Sequence, residues 1–292
     1  MITMDVFYHY CSTTAFHSIV DSKHIHLSSL TLSNDTSEGK MVATTLTELA
    51  QRDGLDHSTR EQLQKYLKFF DEKFDGLGFC MSEDGDVLSQ WRGYASDGAG
   101  VAIGFSRTYL ERLGAQIGTS GVQNFGVQKV KYTTAEHQEQ VEPTYKELKK
   151  LIDMGAFKMP WRRTLLDTRT DEEFGHDQKE HQKLQQTLFI RLLELFPKLY
   201  LLKSSAFKEE KEWRLISHLI LEIENAAKAQ FRPLLDRLIP YKAVELADTV
   251  GQAIVEVVLG PKHLTPMSVV KEFLKRQGFG DVTVRRSEAS YR

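Results

Sequence analysis

The chain has 292 residues, 38 Lys and Arg against 40 Asp and Glu, two cysteines, and 41% hydrophobic residues. This length supplies apolar material for one large domain or two ordinary ones. A net charge of −2 excludes a protein that grips nucleic acid or anionic membrane by bulk charge alone. Cys11 and Cys80 are too few for a zinc quartet or a disulfide framework and fit a reducing cytoplasm.

The opening stretch MITMDVFYHYCSTTAF lacks a basic segment followed by an apolar one, so it does not read as a secretory signal. The longest apolar run, Leu192 to Leu202, is broken by Glu194, Pro197 and Lys198 and falls short of the ~18 residues that cross a bilayer. A cytoplasmic protein without membrane association is expected.

In chain order, residues 5–10 (DVFYHY) read as a strand, CSTT as a cap, and AFHSIVDSK as a helix with Phe16, Ile19 and Val20 on one face. His24–Ser28 alternates as a half-buried strand, and SNDTSEG at 33–39 is a loop. Residues 40–75 predict two helices, the second opened by a capping box from Ser58 to Glu61. A compact middle block follows: strand GFCM (78–81), acidic turn SEDGD, short helix VLSQWRGYA, turn DGAG and buried strand VAIGF. VQKVKY (127–132) alternates as a strand. Residues 133–205 form a charged helical insertion, in which Leu184, Leu188, Leu192 and Leu195 trace an apolar stripe. Strands EKEWRLIS (210–217) and IVEVVL (254–259) come next, then a terminal helix from Pro266 to Gln277 and DVTVRR. Strands at both ends with helices between imply one α+β domain, its mixed and mainly antiparallel sheet built from distant parts of the chain.

Several residues carry possible chemistry. Alternation places His9 on the strand face opposite Tyr8 and Tyr10, so His9 either hydrogen-bonds a buried backbone group or lines a cleft. His24 and His26 share a strand face but lack a third ligand, and no HExxH, CxxC or carboxylate triad completes a site, so no metal is expected. Two acidic segments, Asn34/Asp35/Glu38 and Glu83–Asp86, do not match a calcium loop, and GYASDGAG lacks the ending of a P-loop. In a strand starting at Glu210, that residue, Glu212 and Arg214 share one face, with Trp213 and Leu215 on the other. Such a ladder is either a solvated edge or the polar wall of a site.

The run YHYCSTTAFHSIV (8–20), IHLSS (25–29), ND-x-x-EG (34–39), FCMSEDGDVLSQWRGYASDGAGVAIGF (79–105), KEEKEWRLI (208–216) and VVLGPK (257–262) resembles family 2971 of the domains of unknown function, a widespread bacterial group. A more distant resemblance is to the ADP-ribosyltransferase superfamily. It rests on a first strand with an aromatic-His-aromatic pattern, a helix, a second strand ending in Ser, and a late strand bearing Glu. No Ser-Thr-Ser triplet follows the second strand, and WRGYA has no assured counterpart in that superfamily.

That resemblance implies NAD as substrate, with His9 its anchor and Ser28 the second-strand residue. Trp91 or Tyr94 would flank the nicotinamide, Glu212 would be the catalytic acid, and Glu210 would complete an E-x-E pair. Arg92 or Arg214 would meet the pyrophosphate, and Tyr8 and Tyr10 would line the substrate. A carboxylate there would orient the ribose hydroxyl and stabilise developing positive charge. The implied role is a toxin, defence or effector component that modifies a protein or nucleic acid. Two other classes stay open: a non-catalytic nucleotide or nucleic-acid module using Trp91, Arg92, Tyr94 and Arg214, and a metal-dependent nuclease or hydrolase using the two acidic segments.

Overall fold

The computed structural model describes residues 5–33, 39–118, 126–158, 167–220, 229–234, 236–246 and 251–291. The chain divides into two compact units. A sheet unit takes Met1–Thr36, Phe74–Val130 and Ser205–Arg292, and a helical unit takes Ser37–Lys73 and Lys131–Ser204. The helical unit thus combines residues close to the expected 133–205 insertion with an earlier stretch.

In the sheet unit, aromatic and β-branched residues make β1 (Val6–Cys11), and the Ser12 hydroxyl accepts from the Ala15 N–H to start α1 (Thr13–Ser22). Then come β2 (His24–Ser29), β3 (Phe74–Ser82), α4 (Leu88–Tyr94), β4 (Val101–Ser106), α5 (Arg107–Gly118) and β5 (Gly126–Lys129). The second half carries β6 (Glu212–Ile220), β7 (Gln230–Leu234), β8 (Arg237–Glu245), β9 (Ile254–Leu259), α8 (Met267–Arg276) and β10 (Thr283–Arg286). The sheet is open and runs β10-β9-β4-β1-β3-β2-β8-β7, with β6 on β3 and β5 on β6. Among the described strands only β9 and β10 pair in parallel, so the architecture is α+β with a mainly antiparallel mixed sheet.

β3 is the fork of this sheet. One edge pairs with β6 from Phe74↔Ile220 to Ser82↔Glu212. The other pairs with β2 at Leu77 and Gly78, and with β1 at Tyr8↔Ser82. From there β1 continues onto β4, and β2 onto β8.

Residues paired across strands point to the same side, and neighbours along a strand to opposite sides. One face therefore presents Phe7, Cys11, Ile25, Leu27, Phe79, Met81, Ile103, Phe105 and Leu215, packed with Phe16, Ile19 and Val20 of α1, Leu110 and Leu113 of α5, and Val270 and Leu274 of α8. The other face carries a smaller apolar group, Tyr10, Ala102 and Val258, covered by Trp91 and by Ala95, the residue after α4. At the turn from α4 into β4, a side chain on Gly100 would put its Cβ 2.2 Å from the Cys11 carbonyl oxygen, so only glycine fits.

The expected strand at Glu210–Ser217 starts two residues later. Ser205–Glu210 is a 3₁₀ segment and Lys211 takes a left-handed φ of 44°, so Glu210 belongs to the turn and not to the strand ladder.

The helical unit contains α2 (Met41–Arg52), α3 (His57–Lys73), α6 (Thr134–Asp153) and α7 (Asp171–Leu193). Val42, Leu46, Leu49 and Ala50 make the buried stripe of α2, and Val141, Tyr145 and Leu148 that of α6. In the expected leucine stripe, Leu188, Leu192 and Leu195 are buried and Leu184 is half-buried. Capping boxes start α6 (Thr133 with Glu136) and α7 (Thr170 with Glu173). The box expected from Ser58 to Glu61 is replaced. Asp56 accepts from the Thr59 N–H at 3.0 Å and the Thr59 hydroxyl at 2.7 Å, because an aspartate just before the first turn reaches the free N–H groups directly.

Candidate functional site

The residues assigned to the transferase reading lie in the sheet unit, and strand pairing sorts them by face. Tyr8 pairs with Ser82, and Ser82 with Glu212, so these three point to one side. Arg214, opposite Cys80, and Ser28, opposite Gly78, point to that same side, two and four residues further along β3.

His9 does not join them. It sits on the core face, its ring stacked on Phe79 with centroids 4.1 Å apart and its Nδ1 2.8 Å from the Cys80 carbonyl oxygen. Burial lowers its pKa to about 4, partly offset by that hydrogen bond, so the imidazole is neutral at ordinary pH. This corrects the placement of His9 on the polar wall with Glu212. Of the two sequence readings, the structure shows the hydrogen bond to a backbone group.

Glu212 and Arg214 form the strongest polar feature of the opposite face. Arg214 Nε and Nη2 donate to the two oxygens of Glu212 at 2.7 and 2.9 Å. Both side chains are buried, with 7% and 2% of their side-chain surfaces exposed. A bidentate ion pair removed from water keeps the carboxylate anionic and fixes its plane. Glu210 is also buried, and its Oε1 accepts from the Tyr94 hydroxyl at 3.1 Å. Tyr94 is 40% exposed, so the phenol joins the buried carboxylate to the surface.

Tyr10 and Trp91 do not line a cleft. Trp91 is wholly buried, its ring edge-on to Tyr10 with centroids 4.8 Å apart, and its Nε1 donates to Asp86 Oδ1 at 2.7 Å. The Tyr10 hydroxyl donates to the Asp84 carbonyl and accepts from the Val87 N–H, tying β1 to the turn that leads into α4. Burial raises the Tyr10 phenol well above its ordinary value. Both rings are therefore structural, contrary to their expected substrate contacts. Arg92 is exposed, its guanidinium 5.9 Å from the Tyr291 ring centroid.

Tyr8 stays half-buried and donates to Glu256 Oε2 at 2.6 Å. Burial, with Glu256 beside it, pushes the phenol up to about 12. The ring also lies where a Cβ on Gly85 would fall, 2.5 Å away, which leaves the acidic turn no room for a larger residue.

The acidic turn is a structural hub. Burial raises the Asp86 carboxyl, but hydrogen bonds from Ser287 Oγ, the Glu288 N–H and Trp91 outweigh this and hold it below the usual range. Glu83 accepts from Trp213 Nε1 and Lys129 Nζ. Sequence reading missed Glu256 and Arg285, whose Nε donates to Glu256 Oε1 at 3.0 Å, and named Asp86 only within an acidic segment. Asp86 meets Ser287 across some two hundred residues of chain, and the only local signal was the acidic turn.

Among the described residues no group of three or more His, Cys, Asp or Glu is placed to hold a metal, and no helix is long and apolar enough to cross a membrane. Asn34, Asp35 and Glu38, invoked for the nuclease alternative, lie outside the described residues. Cys11 is buried and its thiol is pushed up to about 12.

A family model described as a protein of unknown function (DUF2971) matches residues 90–215. That span runs from α4 to β6 and includes Trp91, Arg92, Tyr94, Glu210, Glu212 and Arg214. Comparison with the curated proteins and with the solved structures found no match.

Proposed function

We propose that this chain is an NAD-consuming, ADP-ribosyltransferase-like protein whose reacting ribose meets Glu212 on the sheet face and Glu210 in the turn before it. One observation carries the reading: a buried carboxylate at the start of a late strand, clamped in a single orientation by Arg214, with a second carboxylate two residues away tied to a half-exposed tyrosine.

The chemistry asks for such a carboxylate. The bond from ribose C1′ to the nicotinamide nitrogen breaks with its electron pair leaving on neutral nicotinamide. An acceptor oxygen or nitrogen then bonds to C1′ and gives up its proton. Positive charge grows on the ribose between these events, and a fixed anion beside it lowers the barrier without reorganising. Arg214 keeps Glu212 ionised, Glu212 accepts from a ribose hydroxyl, and Glu210 with Tyr94 meets the exposed side of the ribose. His9 has no part in this version, since it points to the other face. Tyr8, protonated at neutral pH, is the first-strand residue facing the substrate.

A second reading, a nucleotide-binding module without turnover, is favoured by one detail: both oxygens of Glu212 are already engaged by Arg214. Measuring nicotinamide release from NAD by wild type and Glu212→Gln separates the two. The transferase reading expects release by wild type and a loss of at least a hundredfold in the variant. NAD binding without release by either protein supports the module and overturns the transferase.

A further inference from the structure

Four or more residues along β3 from Ser82, the face that bears Glu212 changes character. Ser28 on β2 pairs with Gly78 on one side and Tyr241 of β8 on the other, and Tyr241 pairs with Gln230 of β7, giving one row across four strands. Arg232, two residues beyond Gln230, reaches back over β8 and places Nη2 3.4 Å from Ser28 Oγ. On the opposite side of the row, the His26 ring stacks on Tyr241 with centroids 4.1 Å apart.

Arg232, His26, Ser28 and Tyr241 are all half-buried. Burial, then Arg232, then His24 lower the His26 pKa, which is the response of a base held among like charges. On this face of β2, β7 and β8 the described ionisable groups are His24, His26, Tyr241, Arg232, Arg237 and Glu245. Glu245 is exposed and paired with His24 at the far end, while Arg237 is engaged by Asp236. Among the described residues no ion pair joins Arg232 to a carboxylate, and its polar contact is with the neutral hydroxyl of Ser28.

Among the described residues, this half-buried guanidinium lies with imidazoles and hydroxyls and without the counter-charge that such groups normally keep. We propose that Ser28, His26, Tyr241 and Arg232 form a phosphate-binding site that takes a diphosphate group, Arg232 giving paired N–H donors and the hydroxyls of Ser28 and Tyr241 completing the cradle. Arg fits this task because its planar fork matches two phosphate oxygens at once. The site lies on the same face as Glu212, about 13 Å along β3 at ~3.3 Å per residue. It stands apart from the transferase reading because it concerns binding and not turnover, so either can fail alone.

The test is calorimetric titration of the full chain with sodium pyrophosphate and with ADP, for wild type and Arg232→Gln. The expected result is binding of both ligands by wild type, weakened at least tenfold in Arg232→Gln while the unfolding temperature holds within about 2 °C, as for a change on an edge strand. Tighter binding of ADP than of pyrophosphate assigns a nucleoside diphosphate; equal binding assigns the diphosphate group alone, and either supports the site. No binding of either ligand at millimolar concentration, or equal affinity in the variant, overturns it. Should Arg232→Gln fail to fold, the wild-type His26 ring signal decides: pyrophosphate must raise its titration midpoint, since a bound anion favours the imidazolium, and an unmoved midpoint overturns the proposal.

Discussion

Replacing Arg214 by Met removes one partner of the buried ion pair and leaves its shape largely filled. The pair is bidentate at 2.7 and 2.9 Å, and the Glu212 side chain left behind has 7% of its surface exposed. Removing one partner of a buried ion pair costs about 3–5 kcal/mol, whereas replacing both partners by neutral residues of similar volume is often close to neutral. Arg214→Met should therefore lower stability by about 3–5 kcal/mol and the unfolding temperature by on the order of 10 °C. The double variant Glu212→Gln/Arg214→Met should recover more than half of that loss. Urea unfolding followed by the fluorescence of Trp91 and Trp213 supplies the four corners of the cycle. A cost below about 1 kcal/mol for the single variant, or a double variant no more stable than the single, would refute the claim that the pair is desolvated and mutually dependent.

Further outcomes follow from single residues. The folded His9 has a pKa of about 4 against 6.5 for the free side chain, so the unfolded chain binds more protons between these values. Its contribution, up to about 3 kcal/mol, is present above pH 6.5 and lost as pH falls towards 4; His9→Gln should flatten that part of the stability profile. Gly100→Ala should prevent accumulation of folded protein, because its Cβ would overlap the Cys11 carbonyl; a soluble variant with an unchanged unfolding temperature would contradict that geometry. Backbone hydrogen bonds from Thr133 and Tyr132 hold Glu136 down to about 2. Its capping contribution is present above pH ~4.3 and lost as pH falls towards 2, and Glu136→Ala should cost about 1 kcal/mol at neutral pH in thermal unfolding.

Local patterns made much of the fold legible. Alternation in HIHLS and the helical spacing of Phe16, Ile19 and Val20 match the buried faces of β2 and α1, because each is set by a few neighbouring residues. The face of His9 was legible only as opposite to Tyr8 and Tyr10. Which face becomes the core depends on α1, α5 and α8 packing there, and no local pattern states that. Glu210 was misplaced because strand alternation was extended through Lys211, whose left-handed backbone breaks it. Trp91 reads as a stacking surface, yet Tyr10 and Val258 pack on it from two distant strands, while Asp86, five residues earlier, accepts its indole N–H. The phosphate site was invisible for the same reason, since Arg232 meets Ser28 from two hundred residues away.

The central claim is that substrate meets Glu212 on the sheet face and Glu210 in the turn before it. A crystal structure of the full chain with a hydrolysis-resistant NAD analogue tests it most directly. The account predicts the nicotinamide ribose within hydrogen-bond distance of Glu210 or Glu212 and beside Tyr94. A ribose bound on the His9 face, or at a site that touches neither carboxylate, would contradict it.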